Sequence, residues 1–294
     1  DKNSTLVDVL RLLIDTKYSE KFVAKLKDPL VKKYWTDEVA QTSDFHKSET
    51  MGYFVSKFDK FVTDKLMRNI LGQPKSAFNF PQIMAEKKIL LVDLAKGKIG
   101  EENSNFLGLI LVPKILGAAL ARHKLIEEGK DFPNFYMYVD EFQNFATPDF
   151  ETILSEARKY KLSLTVAHQF IEQLPEEIKD AIFGNVGSMC SFRTGAEDAE
   201  FLEHYFAPTF TKKDISNLPV GNAYVRLLVD GHPTPPFSMQ VPWEIIHTKV
   251  LSNQETAKKI KELSRLKYGV PVKEVETYIN HRAGFEEPPK IERQ

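Results

Sequence analysis

Hydrophobic and polar positions change their rhythm near residue 88. Before it they recur at helical spacing, as in Val7, Leu10, Leu13 and Ile14 and later in Phe54, Phe58, Phe61 and Val62, with lysines and acids on the other faces. Gly72, Gln73 and Pro74 punctuate the end of this stretch, which predicts an all-α region over 1–75. From Lys88 onward, short apolar runs alternate with amphipathic segments. Strands are predicted at 89–95 (ILLVDLA), 135–141 (FYMYVDE), 162–167 (LSLTVA) and 189–194 (MCSFRT). Helices are expected at 106–128, 175–183 and 196–206. A further one starts from Thr147 and Pro148, with Phe150, Ile153, Leu154 and Ala157 on its apolar face and Arg158 at the edge of that face. Apolar runs without alternation suggest strands buried on both faces, and strand–helix alternation argues for an α/β fold whose parallel sheet carries helices on both sides. Residues 223–229 and 237–241 flank Gly231, His232 and Pro233, a connection short enough for an antiparallel hairpin at a sheet edge. Two charged helices, 252–267 and 272–282, complete the pattern. The expected organisation is an all-α region at 1–75, an α/β region at 76–245 and a helical tail at 246–294.

Composition narrows the classes. With 294 residues the chain can bury a full core. A net charge of −1 gives no global bias towards nucleic acid, so any phosphate contact must come from a local basic patch. One cysteine, Cys190, rules out intrachain disulfides and cysteine-rich metal sites, and its apolar context suggests inert core. The apolar segment 106–121 contains Pro113 and Lys114 and is shorter than the ~20 residues that span a bilayer, so a helix packed beneath a sheet is expected. No signal-peptide pattern opens the chain, and it begins at Asp1 without a methionine, as a fragment of a longer protein would.

The candidate chemistry gathers at strand ends. Ionised carboxylates are costly inside a buried strand, so Asp140 and Glu141 should emerge at the carboxyl end of theirs, where ligands bind in open α/β sheets. Adjacent Asp and Glu there fit nucleotide hydrolysis, with Asp140 holding Mg2+ through its hydration shell and Glu141 polarising the attacking water. A solvated acidic pair is the plainer alternative. His168 and Gln169 end the neighbouring strand. Gln169 is placed to contact a γ-phosphate or that water, or simply to cap nearby backbone. Asp93 precedes two apolar residues, which suits a structural role. Arg158 is always charged and shaped for bidentate phosphate contact, in its own subunit's surface or a neighbour's site, and Arg193 is a candidate of the same kind. Lys96 and Lys98, with Lys159 and Lys161, are either contacts to a DNA backbone or ordinary solvated lysines. No G-x-x-x-x-G-K-[ST] string occurs, and KGKIG at 96–100 does not match one. The chain therefore offers the metal-and-water half of an ATP site without the half that cradles phosphates.

YVDEFQNF, SEARKYKLSLTVAHQ, NVGSMCSFRTGAEDAEFL and LPVGNAYVRLLVDG resemble the carboxyl-terminal half of the ATPase domain in type IV secretion coupling proteins. These are conjugative DNA-transfer ATPases of a ring-forming P-loop translocase superfamily. The resemblance, from about residue 78 to 241, implies a P-loop NTPase-type sheet lacking its P-loop half. It implies ATP and Mg2+ as ligands, metal and water roles for Asp140 and Glu141, a γ-phosphate sensor in Gln169 and an arginine-finger candidate in Arg158. It further implies a homo-hexamer that pumps DNA without sequence preference, with relaxase or secretion-channel proteins as partners. The implied location is cytoplasmic, at the inner membrane's cytoplasmic face when upstream helices tether the protein. An all-α domain interrupts the ATPase domain in that family, where residues 1–75 stand here, and truncation then accounts for both the missing P-loop and the abrupt start. Two rivals stand beside this reading: a non-catalytic module recruiting cargo through 1–73 and the tail, and a translocase that processes DNA ends.

Overall fold

A computed structural model describes residues 4–39, 52–53, 61, 63–146, 150, 154, 156–242, 245 and 252–283. The chain divides into two units, one made of Asp1–Phe78 with Ala257–Gln294 and the other of Asn79–Thr256. Phe54, Phe58 and Val62, and the helix start expected at Thr147 and Pro148, lie outside the described residues.

The first unit is helical. Its elements are Leu6–Ile14, Thr16–Val23, Pro29–Lys33, a π-helical stretch Tyr34–Val39, Lys65–Leu71 and, from the far end of the chain, Gln254–Tyr268 and Val272–Ala283. Aspartates start several of them: the side chains of Asp15, Asp28 and Asp64 accept first-turn N–H groups that have no helical partner. Met67, Val275 and Ile279 are buried, and Gly72 lies so close to Ile279 that a Cβ would come within 2.5 Å of its Cδ1. A buried carboxylate, Asp8, ties the two ends of the chain together. It accepts hydrogen bonds from Arg282 Nε at 2.9 Å, Thr5 N at 2.7 Å and the Tyr18 hydroxyl at 3.2 Å. Residues 257 onward, expected in a separate tail, thus group with the first 78.

The second unit holds the strands. β1 (Phe135–Val139) and β2 (Leu162–Val166) pair in parallel, with Phe135 opposite Leu162 and Val139 opposite Val166. One face of this pair is apolar: Met137, Val139 and Leu162 are buried with Val112, Ile115, Leu116 and Ala119 of the Glu101–Leu120 helix and with Phe80 and Met84. That helix starts earlier than its expected 106–128 span, with Glu101 and Glu102 suiting its positive amino end. It stops at Leu120, and a short helix follows at His123–Glu127. Among the described residues it is the one helix long and apolar enough to cross a membrane, and its buried side chains pack beneath β1 and β2.

Three strand expectations are corrected. β1 is buried on one face only: Tyr136 and Tyr138 stand exposed beside Ser163 and Thr165. The 89–95 segment forms no strand, because among the described residues β1 pairs with β2 alone and leaves 89–95 without a ladder. Leu90 and Leu94 lean on the core while Ile89 is 89% exposed. The run at 189–194 contributes β3 (Met189–Ser191), which pairs antiparallel with β4 (Asn222–Arg226) instead of joining β1 and β2. β4 continues through a small tip, β5 (Leu228–Val229) and β6 (His232–Pro233), to β7 (Phe237–Gln240), the antiparallel hairpin expected from the sequence. Beside this sheet, Ile171, Ala199, Leu202, Phe206 and Ile215 form a second core with Tyr224 and Met189 packed on it. Cys190 is exposed rather than core, and partial burial of its thiol pushes the pKa up and keeps it protonated.

The Asp8–Arg282 pair sets a prediction for the first unit. Burial raises the Asp8 pKa, but hydrogen bonds from Arg282 and Thr5 and the Arg282 charge outweigh it, so the carboxyl titrates below its ordinary value. Its stabilising contribution is complete above the unfolded-state pKa of ~3.9 and is lost as pH falls through the lower folded value. Arg282→Ala, which strands the buried Asp8, should destabilise this unit by about 3 kcal/mol in urea titrations at pH 7. It should also flatten the acid limb of the pH–stability profile; an unchanged acid limb would refute the assignment.

Candidate functional site

The site begins where β1 and β2 end. Their ladder runs past the strands themselves: Ala167 N–H donates to Val139 O and Phe142 N–H donates to Ala167 O, each at 2.9 Å. Asp140, Glu141 and Gln169 therefore leave the pair at the same edge.

The chain turns sharply there. Glu141 sits in the left-handed region at φ 51°, ψ 44°, a conformation costing roughly 1–2 kcal/mol for a side-chain-bearing residue. Flanking aromatics hold it. Phe142 is fully buried, its ring edge-on to Phe150 with centroids 4.7 Å apart. Phe145, just past the 3-10 turn Phe142–Asn144, seats its ring on Gly108 of the Glu101–Leu120 helix, where a Cβ would come within 2.1 Å of it. The turn is thus pinned to the core from both sides.

This geometry aims the carboxylates. Gln169 Nε2 donates to Glu141 Oε1 at 2.5 Å, across from one strand end to the other. Gln143 Nε2 donates to the other oxygen, Oε2, at 2.6 Å. Two side-chain amides thus bracket Glu141 and fix the plane of its carboxylate. Asp140 is exposed, with Oδ1 accepting the Glu141 N–H at 3.0 Å. An exposed, singly engaged carboxylate suits a cation that keeps most of its water shell, as Mg2+ does. Among the described residues no group of three or more acidic, histidine or cysteine side chains could hold a metal alone.

His168, next to Gln169, is partly buried. Burial lowers its pKa, with a smaller opposing pull from the Phe170 backbone and the Asp198 charge, so the ring is neutral at pH 7.

Other candidates stand elsewhere. Arg158 lies in the 3-10 turn Ala157–Tyr160, immediately before β2; its side chain lies outside the described residues. It is therefore at the amino end of that strand, about 16 Å along it from the edge bearing Glu141, given ~3.3 Å per residue. Arg193 is exposed in the bend after β3, on the antiparallel sheet rather than at the β1–β2 edge. Asp93, within the 89–95 segment, pairs with Lys98 of the short helix Lys96–Ile99 that follows it. Lys96 bonds Glu101 at 2.7 Å and reaches Asn144 Oδ1 at 3.4 Å, so it braces the turn behind Glu141. Sequence reasoning missed Gln143 and Asp198. Gln143 sits two residues beyond a carboxylate in a tight turn, a spacing that could have signalled it; Asp198 offered only a helix first turn.

Gly108 offers a direct test of the turn. Gly108→Ala must displace Phe145 and should cost about 1–3 kcal/mol in chemical denaturation. Gly117→Ala in the same helix meets nothing within 4 Å and should be neutral or stabilising by up to about 1 kcal/mol. Equal effects at the two positions would show that the Phe145 seat is soft.

No curated protein matches the chain. Residues 134–217 match a family model described as the TraM recognition site of TraD and TraG. That stretch holds Asp140, Glu141, Gln143, Gln169 and Asp198, covers less than a third of the chain, and is similar to a carboxyl-terminal region of a conjugative coupling protein.

Proposed function

We propose that this chain is a segment of a conjugative coupling protein that hydrolyses ATP to move DNA. The observation that carries the reading is the Gln169–Glu141 hydrogen bond at a shared strand edge, next to an exposed Asp140 and within the stretch matched at 134–217. Mg2+, when bound through Asp140, would neutralise charge developing on the phosphates. Glu141, bracketed by Gln143 and Gln169, would orient and take a proton from the attacking water. Gln169 would move between Glu141 and the terminal phosphate, so that its partner reports whether nucleotide is present. The phosphate cradle would come from outside Asp1–Gln294, since the sequence holds no G-x-x-x-x-G-K-[ST] string. Arg158, distant from its own Glu141, would serve a neighbouring subunit's site in a ring, and Arg193 would contact phosphate only through such an assembly. The α/β fold would be the distal part of a P-loop NTPase-type sheet, the DNA contact sequence-independent and the assembly a hexamer at the cytoplasmic face of the inner membrane.

The match at 134–217 favours a second role for the same stretch, recognition of TraM. One experiment separates the two. In the full-length protein, Glu141→Gln should lower ATP turnover by about 10²–10⁴-fold, the range for losing a general base. It should leave TraM capture and DNA affinity at the wild-type level. Normal turnover in this variant would sink the role of Glu141, and wild-type protein that binds TraM without hydrolysing ATP would leave recognition as the function.

A further inference from the structure

Asp198 is a buried carboxylate that the proposed reaction does not use. It lies in the first turn of the Ala196–Phe206 helix, where the helix's positive end favours an anion. Both of its oxygens accept the Ile171 N–H at 3.2 Å. Ile171 opens the short 3-10 turn Ile171–Gln173, so its N–H would otherwise be a buried donor without a partner. The Ile171 side chain is itself buried beside Ala199, Leu202, Phe206 and Ile215, so backbone and side chain fix the same point.

Gln169 stands two residues upstream. On its other side the chain is held by Ala167, whose N–H and C=O are both engaged by β1 and the Glu141 turn. The glutamine is therefore suspended between two anchors: Ala167 on the parallel strand pair, and Ile171, held by Asp198 of the helix that packs with Met189 of β3 and Tyr224 of β4. From this geometry we infer that Asp198 is a positioning residue. By fixing Ile171 it sets the reach of the Gln169 amide to Glu141, and it links the antiparallel-sheet side of the unit to the candidate site. A shift of the Ala196–Phe206 helix carries Gln169 with it, which gives a path by which a partner on that side could change the Glu141 environment. This inference rests on the hydrolytic reading for its kinetic consequence, and on the structure alone for its mechanical one.

Both consequences are measurable in the full-length protein. Asp198→Ala should lower kcat for ATP about 10- to 100-fold, the loss expected when a reacting group is misplaced by around 1 Å, with KM within about twofold. Asp198→Asn should recover most of that loss, because its amide oxygen still accepts the Ile171 N–H. In a Gln169→Ala background, Asp198→Ala should add nothing further, since both act through one side chain. The mechanical readout is amide hydrogen exchange: peptides covering 168–171 should exchange faster in Asp198→Ala and near the wild-type rate in Asp198→Asn. If wild-type protein shows no ATP turnover, the hydrolytic reading fails, and the exchange experiment alone judges the anchor. Unchanged exchange at 168–171 in Asp198→Ala overturns the inference; should the alanine variant not fold, exchange at 168–171 in Asp198→Asn as fast as at an unanchored loop, despite the retained acceptor, overturns it instead. Additive kinetic losses in the double variant overturn it as well.

Discussion

The hydrogen bonds that carry the β1–β2 ladder beyond its last strand residues are the constraint on which the site depends. Because Phe142 N–H, and not the Glu141 N–H of a regular parallel ladder, donates to Ala167 O, one extra residue must be taken up between Val139 and Phe142. Taking it up leaves Glu141 in the left-handed region, and the strain is offset by burying Phe142 and seating Phe145 on Gly108. The order of cause runs from the ladder, to the turn, to the aromatic anchors, to the carboxylate plane. Gln143 and Gln169 then need only be long enough to reach oxygens already fixed in place.

Much of this was legible in the residues. The runs FYMYV and LSLTV are too short and too β-branched or aromatic for helices, and both became strands in parallel register. Carboxylates at a buried strand's end had to emerge there, and a glutamine ending the neighbouring strand had to lie alongside. What the residues left open was partnership. An apolar run states that a segment can be buried, not that a neighbour exists to pair with it, and 89–95 has the composition of a strand without the ladder. Tyrosine misled the reading of β1 in the same way. Tyr136 and Tyr138 count as apolar, yet their hydroxyls make an open sheet face tolerable. The short β3 carries no mark of direction, and only the long hairpin after it, with β4 in the middle, makes it antiparallel.

Residues that act through others were the hardest to see. Asp198 reads as one acid among Glu197, Glu200 and Glu203 on a charged helix. Its difference is burial, set by the packing of Ala199 and Leu202 on the same helix against Ile171. Gln143 likewise gains meaning only from the turn that folds it back on Glu141. Arg158 shows the reverse case: its chemistry was plain from the sequence, but the direction of β2 decides which end of the strand its backbone occupies.

The helical unit bears on the rival view that residues 1–73 and the tail recruit cargo. Asp8 is buried and draws its charge partner from Arg282, and Met67 and Gly72 lie in the same small core as Val275 and Ile279. The first segment alone would hold an unpaired buried carboxylate and an open apolar face, both of which favour unfolding. Closing a loop of this length adds little further entropy, because the closure cost grows only logarithmically with chain length, so the distant partner is affordable as well as required. Any recruitment through these helices is therefore a property of the first and last segments together. The unit that carries Glu141 and Gln169 is inserted between them in sequence.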